Sequence, residues 1–209
     1  MIARRTLSVV FLTAMLGAGG TLSAQRRPAD ARYDEVFRKY SKRYFGPGFD
    51  WRIFKAQGLA ESGLDSTAQS RVGARGVMQL MPSTFADIAS HNPQMTRIDD
   101  PQWNIAAGIA FDRDLWRAWE RDSVNTNRRE FMFGSYNAGM GTIRKAQTVA
   151  QGQQLDHRSW PSIESVAPRV TRWRYRETLD YVRKIDVNLL RMDDKGRVSK
   201  LGLPYGVVR

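Results

Sequence analysis

Apolar residues in this chain recur at helical spacing, and nowhere in its 209 residues does a run alternate apolar with polar well enough to make a strand. That regularity predicts helices packed on helices, a mainly α fold with one core. Tyr33, Val36, Phe37, Tyr40 and Tyr44 mark a first amphipathic helix over about 32–45, ended by Gly46-Pro47-Gly48. Asp50 is a suitable N-cap for a second, running to Ser62, with Gly63 placed to close it in the left-handed conformation. Pro82 suits the first turn of a short helix reaching Ser90. Asp100-Pro101 opens a long helix with Ile105, Ile109, Trp116 and Trp119 on one stripe, ending near Arg121. Another covers about 129–138, breaks at Gly139 and Gly141, and resumes to about 150. Polar, proline-containing 151–171 is expected to be a long loop with room for one short helix, and the last helix to span 172–192.

The two ends read differently from this middle. Arg4 and Arg5 precede an apolar run from Leu7 to Leu16, and small residues then lead to Ser23-Ala24. This is a secretory signal pattern, too short to span a bilayer stably, with the expected cut after Ala24. The expected organisation is therefore signal peptide 1–24, polar linker 25–31, one domain over 32–192, and a basic, loosely held tail over 193–209. No cysteine is present, so neither disulfides nor a lipid-bearing thiol is expected, and the mature protein should be soluble rather than tethered. The formal charge is +12, or +10 once the two signal arginines are removed. Such an excess favours anionic surroundings: cell wall, membrane surface or nucleic acid. Charge alone does not choose among them.

The chemistry concentrates around Glu61, in the last turn of the second helix. Unpaired carbonyls there disfavour a carboxylate, and helix geometry sets Glu61 on the stripe of Phe54, Gln57 and Gly58, with Trp51 nearby. Apolar burial pushes in the same direction, toward a glutamic acid that keeps its proton near neutral pH and can act as a general acid. The alternative is a surface glutamate paired with Arg71 or Arg75. Gly73 and Gly76 let the chain turn tightly after the helix, so that the segment from Val77 folds back beside Glu61. There Met78 and Met81 offer polarizable surface and Gln79 an amide, which suits a sugar, although methionines at this spacing also suit a core.

Taken in order, Glu61-Ser62, Gly76-Val77-Met78-Gln79, Ser135-Tyr136-Asn137-Ala138-Gly139, and Glu177-Thr178 with Tyr181-Val182 resemble the lytic transglycosylases of the soluble-transglycosylase (SLT) family. Asp100-Pro101 and Asn104-Ile105 are similar to that family's middle helix. The segment from Ser159 onward is most similar to the catalytic module of membrane-bound lytic transglycosylase F, without its additional N-terminal domain. The resemblance implies a lysozyme-like domain with its cleft between helices, needing no cofactor or metal. It also implies cleavage of the β-1,4 bond between N-acetylmuramic acid and N-acetylglucosamine in peptidoglycan, leaving a 1,6-anhydromuramoyl end. Glu61 would be the sole acid/base, oriented by Tyr181. Ser70, Met78, Gln79, Met81, Tyr136 and Asn137 would line the sugar subsites. The implied partner is the peptidoglycan glycan strand in the periplasm or outside the cell.

Three positions depart from the pattern. Ser135 stands for the usual alanine and Val77 for leucine. Asp112 stands for leucine in the middle of the apolar stripe, where it needs either an arginine partner or a role as a second carboxylate near the cleft. Three other readings compete: a goose-type lysozyme that uses water, a nucleic-acid binder built on RVTRWRYRETLDYVRK, with six basic residues among aromatics, and a degenerate, non-cleaving wall-binding protein. The signal pattern argues against intracellular nucleic acid.

Overall fold

The computed structural model describes residues 31–199, so the signal pattern, most of the linker and residues 200–209 lie outside it. Eight α-helices follow one another among the described residues: α1 Asp34–Phe45, α2 Arg52–Ser62, α3 Pro82–Ser90, α4 Pro101–Arg121, α5 Arg128–Ala138, α6 Met140–Gly152, α7 Trp160–Val166 and α8 Tyr175–Leu190. A 3₁₀ turn, Ala167–Arg169, separates the last two. In place of strands, three isolated antiparallel bridges occur, Gln69 with Arg75, Arg75 with Leu80, and Met192 with Val198.

The helix boundaries follow the expected punctuation. Asp100 caps α4 by accepting from the Gln102 amide, whereas Asp50, whose Oδ1 accepts from the Arg52 amide at 3.0 Å, stands one residue before Trp51, the N-cap of α2. Gly63 ends α2 at φ 65°, and Gly139 parts α5 from α6 at φ 83°. The region 151–171 is more ordered than its polarity suggests. Trp160 is buried, its ring edge-on to Phe131 at 5.4 Å, in a space open only because residue 134 is glycine. With Pro161 in its first turn, α7 buries Trp160, Ile163 and Val166.

The core runs through the centre of the molecule. α4 packs between α1 and α5, and α8 lies across α2 and α5. Phe37, Tyr40, Phe54, Ile105, Ile109, Trp119, Phe131 and Ile185 are buried within it. Residues 193–199, expected to begin a loose tail, instead fold back onto the start of the domain. The fully buried Lys55 ammonium reaches Asp34 Oδ1 and the Gly196 carbonyl, each at 2.7 Å, and Gly196 at φ 79° lies against the Trp51 ring. A buried lysine without both partners would be costly, so α2 recruits this segment.

Between α2 and α3 the chain forms a compact loop, and Asn104 of α4 secures it. Its buried side chain accepts from the Met78 amide at 2.8 Å and donates to the carbonyls of Arg75 at 2.9 Å and Ile98 at 3.1 Å. Gly76 turns above it at φ 75°, where an added methyl would come within 2.6 Å of the Asn104 amide. Replacing Gly76 by alanine combines a strained φ with this overlap, so Gly76→Ala should cost about 1–3 kcal/mol, read as a lower midpoint in urea unfolding.

Candidate active site

Glu61 is the last residue but one of α2, and Tyr181 stands in the second turn of α8, the helix packed most extensively on α2. The Tyr181 hydroxyl donates to Glu61 Oε1 at 2.6 Å, joining residues 120 positions apart. Burial pushes the Glu61 carboxyl up to about 7, against the smaller opposing effects of that hydrogen bond and of the Lys184 charge. The alternative of a surface ion pair is not what the structure has: Arg75 approaches Asp99 at 3.6 Å, and Glu61 is held by the tyrosine. Burial is the main cause of the shift. The Ala60 carbonyl, which would repel a carboxylate, accepts from Lys184 Nζ at 2.7 Å.

Around Glu61 the loop and α5 supply the remaining candidates. Ser62 Oγ donates to the Val77 carbonyl at 2.9 Å, and the Tyr136 hydroxyl donates to the Met78 carbonyl at 2.9 Å, so both sides of the loop are fastened beside the carboxyl. Gln79 takes up φ 45°, unusual for a non-glycine residue, and its amide donates to the carbonyls of Ala68 at 3.1 Å and Gly76 at 2.9 Å. This leaves Oε1 as the acceptor of the half-buried side chain. Ser70 Oγ accepts from the Ala74 amide at 3.0 Å within the same loop. Met81 is 39 % exposed.

Met78 is a correction. It was expected among the substrate contacts, yet its side chain is fully buried and packs on Gly108 of α4, where an added methyl would lie 2.8 Å from its Cγ. Its part is played by its backbone, which ties Tyr136 and Asn104 together.

Asn137 is exposed at the end of α5, and its Oδ1 accepts from Thr178 Oγ1 at 2.8 Å. Trp173 Nε1 donates to the same hydroxyl at 3.0 Å. This relay was not foreseen, although Thr178 lies within the quoted Glu177-Thr178 step. It fixes the Asn137 amide so that its NH₂ is presented outward, at the edge of a cavity of about 240 Å³ also lined by Thr142, Arg172 and Glu177. A larger cavity of about 650 Å³ lies between α1, α3 and α4; Phe111 lines it and packs on Tyr136 at 5.2 Å between ring centres.

Asp112 lacks the expected arginine partner. It is fully buried, no arginine or lysine pairs with it among the described residues, and its contact is the Gln57 amide, which donates to Oδ1 at 3.3 Å. Burial holds its carboxyl well above the usual range, assisted by the nearby Glu61 charge. Ser135, the other polar departure, accepts from Trp119 Nε1 at 3.0 Å. Among the described residues, no three His, Asp or Glu side chains come together as a metal-ligand set.

Comparisons with known proteins place the chain among relatives. The curated relatives include membrane-bound lytic murein transglycosylase F of Desulfosudis oleivorans, 31% identical over 150 residues, covering 72% of this chain and 31% of that protein. The Shewanella pealeana protein of the same name is 29% identical over 150 residues, covering 72% and 29%. The chain thus spans about a third of the length of the curated relatives it matches. Among solved structures, the 70 kDa soluble lytic transglycosylase of Escherichia coli superposes with a TM-score of 0.62 at 22% identity, over 82% of this chain and 26% of that one. Lytic transglycosylase Slt of Pseudomonas aeruginosa gives 0.56 at 22% identity, over 74% and 23%. These likenesses establish the lysozyme-like, mainly helical fold. With the Transglycosylase SLT domain profile matching residues 36–158, more than half of its length, this chain belongs to the transglycosylase SLT domain family.

Proposed function

We propose that this protein is a peptidoglycan lytic transglycosylase, exported by its N-terminal signal segment to act on glycan strands in the periplasm or outside the cell. The observation that carries the reading is a single carboxyl, raised to about 7, held by Tyr181 at one oxygen and free to exchange a proton at the other. Protonated Glu61 gives its proton to the oxygen between N-acetylmuramic acid and N-acetylglucosamine, and the C1–O bond breaks. The resulting carboxylate, stabilised by the Tyr181 hydroxyl and the Lys184 charge, takes the proton of the muramoyl 6-hydroxyl as that oxygen bonds to C1. Atoms balance without water: the products are a 1,6-anhydromuramoyl end and a free N-acetylglucosamine hydroxyl. Using a nucleophile already attached to the substrate removes the entropic cost of positioning a separate one.

Hydrolysis with inversion needs a second carboxylate that activates water at about 6.5–9.5 Å from the acid. The buried Asp112 is poorly suited to that task. Met81 and the Gln79 Oε1 acceptor are candidates for one wall of the sugar site, with Ser70 in the adjoining loop and Tyr136 and Asn137 on the α5 side. Three of the six basic side chains in residues 169–184 are bonded to acids or to a backbone carbonyl. Arg174 pairs with Glu177, Arg183 with Asp180 and Glu164, and Lys184 with a carbonyl. The remaining positive charge, within a formal +12, suits an anionic cell envelope. Among the described residues, no helix is long and apolar enough to cross a membrane.

Digestion of purified sacculi tests the proposal. Fragments should carry anhydromuramoyl ends and take up no oxygen from labelled water; labelled reducing ends would make the enzyme a hydrolase. Glu61→Gln should lower cleavage roughly 10²–10⁴-fold, the range for loss of a general acid/base group. For the wild type, kcat/KM should fall as pH rises through about 7, where Glu61 loses its proton.

The same titration acts on stability. A carboxyl raised from 4.5 to about 7 makes the folded state bind the proton more tightly than the unfolded state. Its favourable contribution is complete below about 4.5 and is lost as pH rises through about 7, a change of roughly 3 kcal/mol. Glu61→Gln should therefore gain stability relative to wild type between mildly acidic and alkaline pH, by a few kcal/mol at most, in paired urea titrations.

A further inference from the structure

Gln57 and Asp112 are both fully buried, and each leaves one polar atom without a partner, Gln57 Oε1 and Asp112 Oδ2. Their other atoms meet, the Gln57 amide donating to Oδ1 at 3.3 Å. Two orphan acceptors on two side chains already bonded to each other form a specific pattern. A single proton on Oδ2, donated to Oε1, satisfies both atoms and turns one hydrogen bond into a closed two-bond pair of carboxylic acid and amide. An ionised Asp112 would instead leave two buried acceptors, one of them charged, with nothing to accept from.

The location gives the pair its consequence. Gln57 is four residues before Glu61 on α2, one turn deeper on the same face. α2 packs chiefly on α8 and α1, and the Gln57–Asp112 contact is its polar link to α4. The ionisable groups acting with Asp112 from the surrounding helices are Glu61 of α2, Tyr136 of α5 and Tyr181 of α8; among the described residues no cation from α1 or α3 pairs with it.

We propose that Asp112 is a positioning residue that stands as a neutral acid closed against Gln57, and that this pair braces the helix face carrying Glu61 while keeping a second negative charge out of the site. The proposal rests on the reading of Glu61 as the group that changes charge. During the reaction Glu61 becomes a carboxylate, and an ionised Asp112 beside it would oppose that step. The tyrosines do not, because burial and the Glu61 charge hold both phenols well above their usual range, so they stay neutral.

Two measurements test this without relying on cleavage. In Glu61→Gln carrying ¹³C-labelled aspartate, infrared spectra at alkaline pH should retain an isotope-shifted band of a protonated carboxyl; its absence would overturn the neutral assignment. In protein with ¹³C-labelled glutamate side chains, the Glu61 titration midpoint should be unmoved in Asp112→Asn, where one neutral group replaces another. A fall toward the ordinary carboxylate range would show that the aspartate had been charged. On glycan strands, Asp112→Leu, which strips Gln57 of its partner, should lower kcat about tenfold with little change in KM. Asp112→Asn, able to form the same two bonds, should recover most of that loss. Full activity in Asp112→Leu would remove the bracing role. Should both spectroscopic results hold while sacculi stay intact, the proposed reaction fails and the acid–amide pair stands.

Discussion

A carboxyl group placed where water is scarce, with a phenol hydroxyl as its neighbour, is the constraint around which this molecule is organised. Desolvation raises the proton affinity of Glu61, and the Tyr181 hydrogen bond at 2.6 Å limits how far. For the two side chains to meet, the end of α2 must lie across the second turn of α8, and that crossing is the main packing of α2. The buried Asn188 of α8 adds a bond from its amide to the Ala56 carbonyl at 3.1 Å, and Lys184 reaches Ala60. Three side chains on successive turns of α8 therefore hold α2 by its backbone and by its acid.

On the other side, the loop after α2 has only the isolated bridges of Gln69 with Arg75 and Arg75 with Leu80, and Asn104 adds the bonds a wider sheet would supply. One amide bonds to three backbone groups of the loop and its flank while sitting in the first turn of α4. The Met78 carbonyl, freed from any ladder, accepts from Tyr136, and Met78 itself fills the space above Gly108. The loop is thus pinned from α4, α5 and the end of α2, which lets Gln79 hold a left-handed conformation that would cost roughly 1–3 kcal/mol elsewhere.

Much of this was legible in the residues, for identifiable reasons. Gly63, Asp100-Pro101 and Gly139 act locally, so they marked helix ends correctly without tertiary information. Glu61 and Tyr181 were legible through four ordered motifs rather than through spacing alone. What escaped depends on where an element lands. Met78 on a cleft wall and Met78 in a core have the same neighbours in sequence, and only α4 carrying a glycine at 108 separates the two. Trp160 builds α7 because it meets Gly134 and Phe131, a contact between distant segments. Lys184 and Thr178 lie in the basic stretch that also reads as a nucleic-acid binder, but each turns a polar atom onto a group of another helix, Ala60 and Asn137. Hydrophobic periodicity reports which face is buried, and not which polar atom at its rim finds a partner.

The site's electrostatics follow one rule, that a single group within it alters its charge. Tyr136, Tyr181 and Asp112 are all drawn up by burial, and each is raised further by the charge on Glu61. That coupling is mutual. Any of the three, if ionised, would hold the Glu61 proton more tightly and leave an acid unable to serve as a base. Among the described residues the cation acting on Glu61 is Lys184, exposed and bonded to a backbone carbonyl, so it eases the ionisation of Glu61 without forming an ion pair that would abolish its proton affinity. A value near 7 is the balance between these: a dry pocket with neutral polar walls, and one positive charge held at its edge.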